Sequence, residues 1–274
     1  MSQRLIIEAG RTERQYWRDL WRYRELFYFL AWRDLLVRYK QTAVGVLWSL
    51  IRPVLTMLAL MLVVKFGKLP TGGVPGPLFV FAAMLPWQFF STALSESGSS
   101  LVMNANLVSK IYFPRLVVPA SSIMVCFVDF LISAVFLAGL MLFYGFVPPI
   151  QICLLPLMFL LALGASLGAG LWVAALMVKY RDFRFIVPFV VQFGVYASPV
   201  VLKTSIVPES YGLRFIYSLN PMVGVIDGFR WCLLGGQNTI YWPGFGASVL
   251  VVVFLVVTGI WYFRKTERTF ADLI

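Results

Sequence analysis

The sequence predicts an all-α, polytopic membrane protein with six transmembrane helices. Three observations carry that prediction. Of 274 residues, 60% are hydrophobic and 13% charged, where a soluble domain is about half apolar and about a quarter charged. Apolar runs long enough for the bilayer core, about 20 residues each, recur along the chain. The 24 Phe and 9 Trp supply material for aromatic belts at two membrane interfaces.

The elements follow in order. Residues 1–42 form a basic tail and an amphipathic helix. The segment 27–40, FYFLAWRDLLVRYK, is too short and too charged to span. Trp32, Leu35, Leu36 and Tyr39 repeat at helical spacing and give it one apolar face. Asp34 and Arg38 stand one turn apart and are expected to pair. A helix lying in the membrane interface fits this pattern. Residues 43–263 hold the spans, expected near 43–65, 77–100, 117–143, 150–178, 185–203 and 243–263. Residues 264–274 are a short polar tail. Between the fifth and sixth spans, 204–242 is too polar to cross, yet it is rich in large apolar residues and broken at Asn220-Pro221. Two short helices that dip into the far interface or re-enter partway are expected there. Such backbone is tolerated only against protein or a water-filled cavity. A full span near 214–234 is the alternative, and Asp227 and Arg230 make it costly.

With the amino terminus inside, 17 of the 23 Lys and Arg residues fall on the inner side. The positive-inside rule then places both termini in the cytoplasm. The same bias accounts for the net charge of +11 without a nucleic-acid partner.

Several features could carry chemistry. Arg52 stands in the first span beside Pro53, as a cation facing a polar path or as a snorkelling or capping group. In the fifth span Phe185, Phe189, Gln192, Phe193 and Tyr196 share one face, suited to sugar rings or to plain packing. The run Ser91, Thr92, Ser95, Glu96, Ser97, Ser99, Ser100 reads as lining water or closing an inner mouth, with Glu96 a partner for a basic residue. Gly164 and Gly168, with Ala165 and Ala169, allow close helix approach within the subunit or at a dimer seam. Three separated cysteines signal neither a disulfide framework nor a metal site. The absence of histidine removes His-based catalysis and His-ligated metals. No phosphate-binding loop is present, and Asp129 is the one candidate for a buried ion-coupling acid. If this chain pumps, a partner supplies the energy.

Five segments resemble a known family. LAWRDLLVRYKQTAVGVLWSLIRP (30–53), LVSKIYFPR (107–115), KYRDFRFIVPFVVQ (179–192), YSLNP (217–221) and FRKTERTFADLI (263–274) are similar, in order, to the ABC-2-type permeases that export polysaccharides. The O-antigen and teichoic-acid branch is nearer than the capsule branch. The resemblance implies a homodimer, each copy docking one separate ATP-binding subunit, with ATP and Mg bound there and no cofactor in this chain. The cargo would be an undecaprenyl-diphosphate-linked polysaccharide crossing the bacterial inner membrane. Teichoic acid, capsule or another lipid-linked cargo is the alternative, and a membrane enzyme acting on lipid-linked glycans is a further one.

Residue by residue, the resemblance assigns ATPase coupling to Ser109, Lys110, Ile111, Tyr112, Phe113 and Arg115, with Arg181 and Asp182 in the second loop. Three adjacent exposed large apolar residues, 111 to 113, are more than an ordinary basic loop explains. Trp32, Arg33, Arg38 and Lys40 would meet lipid headgroups or the anionic diphosphate. Trp48, Arg52, Trp87, Phe90, Phe189, Gln192, Phe193 and Tyr196 would line the translocation channel. Tyr217, Asn220, Pro221 and Phe229 would belong to the periplasmic gate.

Overall fold

A computed structural model of the chain describes residues 13–40, 46–208, 212–235 and 240–270. Among them the regular structure is helical: α1 (Glu13–Arg22), α2 (Arg24–Lys40), α3 (Val46–Phe66), α4 (Gly76–Met103), α5 (Ala105–Lys110), α6 (Val117–Phe143), α7 (Leu155–Lys179), α8 (Phe183–Gly194), α9 (Leu213–Tyr217), α10 (Pro221–Leu234) and α11 (Trp242–Thr266). Five of these, α3, α4, α6, α7 and α11, are long and apolar enough to cross a membrane.

The expected fifth span is different. Here α8 has 12 residues, about 18 Å at helical rise, and is followed by turns over 195–202. Pro188 inside the helix, Gly194 at its end and Pro199 beyond explain the stop. The turn carbonyls then need donors at membrane depth. Arg230 of α10 supplies them: its guanidinium donates to the carbonyls of Pro199 at 2.6 Å, Val200 at 2.7 Å and Leu202 at 3.3 Å. It also lies 4.0 Å from the Phe79 ring centroid, a cation–π contact.

Helix α4 is the central pillar. It packs against α3, α6, α7, α8 and α10, and its far half, from Leu78 to Trp87, is buried throughout. Its serine run does not simply line water. Ser91, Ser95, Ser97, Ser99 and Ser100 each donate to a carbonyl three or four residues back, which neutralises the hydroxyl and keeps the surface small. Helix α7 can therefore approach closely: a Cβ on Gly98 would lie 2.5 Å from Val173, and one on Gly170 would lie 2.2 Å from the Ser97 hydroxyl.

The glycine seam of α7 is internal, facing α11. A Cβ on Gly168 would lie 2.6 Å from the backbone of Leu255, and one on Gly259 would lie 2.5 Å from the Gly168 carbonyl. Trp172 and Tyr262 stack beside it at 4.1 Å.

One apolar cluster holds Leu30 of α2, Leu101 of α4, Phe113, Leu171 of α7, and Phe263 and Phe270 at the close of α11. Residues 13–40 and 263–270 thus gather at one end, here called the near end. The far end carries Phe79, the 195–208 turns and α10. Two short helices do interrupt the segment before α11, and Asn220 separates them by capping α10, accepting from the Met222 amide at 3.0 Å. With 14 residues, α10 is too short to span, and it is buried against α4, α7 and α11.

Gly168→Ala is expected to lower the thermal stability of the detergent-purified protein by about 1–3 kcal/mol, because backbone opposes the new methyl. Gly139→Ala, which meets nothing within 4 Å, serves as the control. Equal unfolding midpoints for the two would contradict the α7–α11 seam.

Candidate functional site

The site begins with a charge that must be compensated. Helix α2 does not lie free on a surface but packs along α6. Its last turn brings Arg38 to Asp129, which is about 18 Å along α6 from that helix's start. Arg38 pairs with Asp129 at 3.0 Å and with Glu96 of α4 at 3.4 Å. The expected Asp34–Arg38 pair is not formed. Asp34 pairs instead with Arg33 at 2.7 Å, while Glu96 does find a basic partner. Removing a solvated cation and carboxylate from water is costly, and close pairing with added hydrogen bonds offsets that cost.

Asp129 has those added bonds. It accepts from the Tyr39 hydroxyl and from Ser49 of α3 at 3.1 Å. Burial pushes the Tyr39 phenol up to about 12, and its hydrogen bond to Asp129 acts in the same direction, so the hydroxyl stays a donor at any physiological pH. One carboxylate therefore ties α2 and α3 to α6, and one guanidinium ties α2 to α4 and α6. Arg33 adds a further tie, donating to the Asn104 side chain at 2.8 Å just past α4.

These contacts frame two cavities that share Arg38. One, of about 490 Å³, lies between α2, α3, α4 and α6 and is lined by Arg38, Tyr39, Arg52, Gln88, Thr92 and Asp129 among others. The other, about 550 Å³, lies nearer the end of α4 and includes Arg33, Glu96, Ser99 and Asn104. Arg52 is exposed and has no ion-pair partner among the described residues. Thr92, Glu96 and Ser99 recur at helical spacing, so one face of α4 forms a polar wall while its opposite face packs on α7. Both basic and acidic groups line the cleft, which suits a polar, charged ligand better than an apolar one.

The remaining assigned residues separate into groups. At the near end Ser109 and Lys110 are exposed, and Ile111 and Tyr112 are 56% and 54% exposed. Phe113 is not part of that knob. It is 4% exposed and sits in the near-end core, because the extended turn after Ile111 reverses the direction of its side chain. Arg115 also points inward: its backbone amide donates to the Glu267 carboxylate at 2.7 Å, and its guanidinium donates to the Glu267 carbonyl. Arg181 and Asp182 are exposed at the start of α8. Lys40 is exposed, and Trp32 is half exposed and stacked on Tyr28.

The α8 stripe is on the surface of the protomer. Phe189, Phe193 and Tyr196 are 61%, 54% and 74% exposed, and Gln192 is exposed beside them. The opposite face holds Val187 against Leu94 and Met177. Trp87 and Phe90 lie behind α8 rather than beside the stripe, with the Trp87 ring closing on Gly194. The Trp48 side chain lies outside the described residues. At the far end Asn220 also donates to the Ala197 carbonyl and the Ser198 hydroxyl, at 3.1 and 3.0 Å. Pro221 opens α10. Tyr217 is partly buried, and Phe229 is fully buried against Phe130, so it forms core there.

Three contributors escaped the sequence. Tyr39 counted only as an apolar-face residue, Asn104 is an amide directly after a long span, and Glu267 is the single acid in the basic run FRKTER. The last two carried a readable signal: each is a polar group at a span end, and Glu267 has basic residues beside it.

A double-mutant cycle on Arg38→Met and Asp129→Asn is expected to give a coupling of at least about 1 kcal/mol in thermal unfolding, above the range for exposed pairs. Additivity to within about 0.5 kcal/mol would contradict the ion-pair hub.

Comparison with known proteins adds three findings. The sequence pattern of the family described as ABC-2 type transporter matches residues 25–234. The O-antigen export system permease protein RfbA of Myxococcus xanthus is 30% identical over 214 residues, covering 78% of this chain and 82% of that protein. A protein of the same name from Klebsiella pneumoniae is 25% identical over 252 residues, 91% of this chain and 95% of its own length.

Proposed function

Because the chain belongs to the ABC-2 type transporter family, we propose that it is the permease subunit of an ATP-driven exporter of undecaprenyl-diphosphate-linked, O-antigen-like polysaccharide. It is a multi-pass transport subunit, and the ATPase of such transporters is a separate subunit. The near end faces the cytoplasm of a bacterium with both termini on that side, and the membrane is the inner one. Two copies assemble, and each meets one ATP-binding subunit that holds ATP and Mg. The permease itself uses no cofactor. Among the described residues, no group of three or more His, Cys, Asp or Glu could hold a metal ion.

The observation that carries this reading is the shared near end. An exposed apolar knob, Ile111–Tyr112, stands on a fixed base at the same end as a cavity lined by Arg33, Glu96 and Asn104, which shares Arg38 with the deeper charged cavity. Isolated exposed apolar residues are ordinary, but two adjacent ones flanked by Lys110 at a rigid turn suit a protein contact. The cleft suits the head of an anionic lipid-linked substrate. Arg52, exposed and without an acidic partner among the described residues, supplies positive charge on the cavity wall, while Arg33 and Arg38 are already engaged by carboxylates. The α8 stripe of Phe189, Phe193 and Tyr196 with Gln192 gives aromatic faces and an amide on an open surface, the chemistry that sugar rings stack on and hydrogen-bond to. The names of the related proteins, O-antigen export permeases, support the cargo class.

Ile111→Asp combined with Tyr112→Asp is expected to abolish co-purification of the ATP-binding subunit while leaving membrane insertion and thermal stability unchanged. Retained co-purification would overturn the assigned docking knob.

A further inference from the structure

Resting on the permease reading above, we infer that Glu267 is a positioning residue that clasps the coupling turn to α11, so that movement of the turn is delivered to that helix. The turn between α5 and α6 is tied to the end of α11 by two hydrogen bonds, both donated by Arg115 to Glu267. The Arg115 amide donates to the Glu267 carboxylate at 2.7 Å, and the Arg115 guanidinium donates to the Glu267 backbone carbonyl. Charge-assisted bonds to a backbone amide are among the stronger ones. This pair spans 152 positions of sequence and joins two elements that also share one apolar cluster.

The surroundings make the clasp stiff. Phe113 on one side and Phe263 and Phe270 on the other are buried in one cluster, and Phe263 and Phe270 pack edge to face at 5.3 Å. The Arg264 guanidinium lies over the Tyr16 ring at 4.6 Å, which brings α1 into the same unit. Close-packed apolar contacts do not deform continuously, so a push on Ile111–Tyr112 shifts the turn and the end of α11 together. Helix α11 in turn is packed without intervening side chains on α7 at Gly168 and Gly259. Motion imposed on the knob therefore reaches α11 and α7 directly, as well as α5 and α6, which flank the turn in sequence. The physical warrant is a continuous bonded and packed connection, and the energetic coupling is what the experiment measures.

The test uses the full complex with its ATP-binding subunit in proteoliposomes, comparing wild type, Glu267→Ala and Glu267→Gln. Co-purification, ATP hydrolysis and export of lipid-linked glycan are read separately. For Glu267→Ala the ATP-binding subunit stays bound and hydrolysis stays within twofold of wild type, while glycan exported per ATP falls at least tenfold. For Glu267→Gln, which keeps an acceptor for the Arg115 amide but loses the charge, export per ATP falls about threefold. Faster amide exchange in a peptide covering residue 115 accompanies the loss. If export and hydrolysis fall in proportion, or export per ATP is unchanged, the clasp has no coupling role. Should the alanine variant not assemble, the glutamine variant decides alone by the same ratio. Failure of the wild-type chain to bind an ATP-binding subunit would instead overturn the permease reading.

Discussion

The placement of Arg38 between Asp129 and Glu96 is the contact on which the near half of the protein depends. The first half of helix α2 is held by apolar contacts, with Leu30 buried and Leu26 and Phe27 packed beside it. What fixes its other end is charge. The guanidinium bridges two helices, and Asp129 in turn collects hydroxyls from Tyr39 and Ser49. A lone carboxylate at Asp129 would be costly in a membrane helix, and so would a lone Arg38 against it. Each requires the other, and their meeting creates the cleft rather than filling it. Arg230 solves the same problem at the far end, where the free groups are carbonyls. Arg52 stands on the cleft wall without an ion-pair partner among the described residues.

Much of this was legible in the sequence, for reasons that can be located. Long apolar runs report themselves, so α3, α4, α6, α7 and α11 lie where hydropathy places them. Asn220-Pro221 is a cap followed by the residue best suited to a first helical position, and it separates α9 from α10 as expected. The failures have a common cause: composition does not state what a residue faces. The run 185–203 is apolar enough to span, but the break at Gly194 and Pro199 is stabilised by a distant arginine, Arg230, which no local window contains. Phe113 looks like its neighbours Ile111 and Tyr112, and only the extended turn turns it inward. The serines of α4 suggested water because hydroxyls are polar. All are bonded to their own helix, Ser97 packs closely against Gly170 of α7, and Ser99 and Ser100 line the cavity at the end of α4.

The near end therefore combines three roles in one packed unit. In the proposed reading the knob meets an ATP-binding subunit and the cleft takes a substrate head, while the Arg115–Glu267 bonds join the turn that carries the knob to the end of α11. Helix α4 connects this unit to the far end, with its polar wall on one side and close glycine–serine packing on the other. The α8 surface is held more lightly, by Val187, Leu94 and Met177, and its aromatic residues are open to whatever lies beside the protomer.

Translocation itself tests this account most directly. The chain and its ATP-binding subunit would be placed in proteoliposomes with undecaprenyl-diphosphate-linked glycan exposed on the outer face and ATP supplied there. A glycosidase that cannot cross the membrane then reports which side the glycan occupies. ATP is expected to move glycan into the lumen, where it becomes resistant to digestion, and non-hydrolysable nucleotide is not. Glycan that stays fully digestible while ATP is being hydrolysed would contradict it.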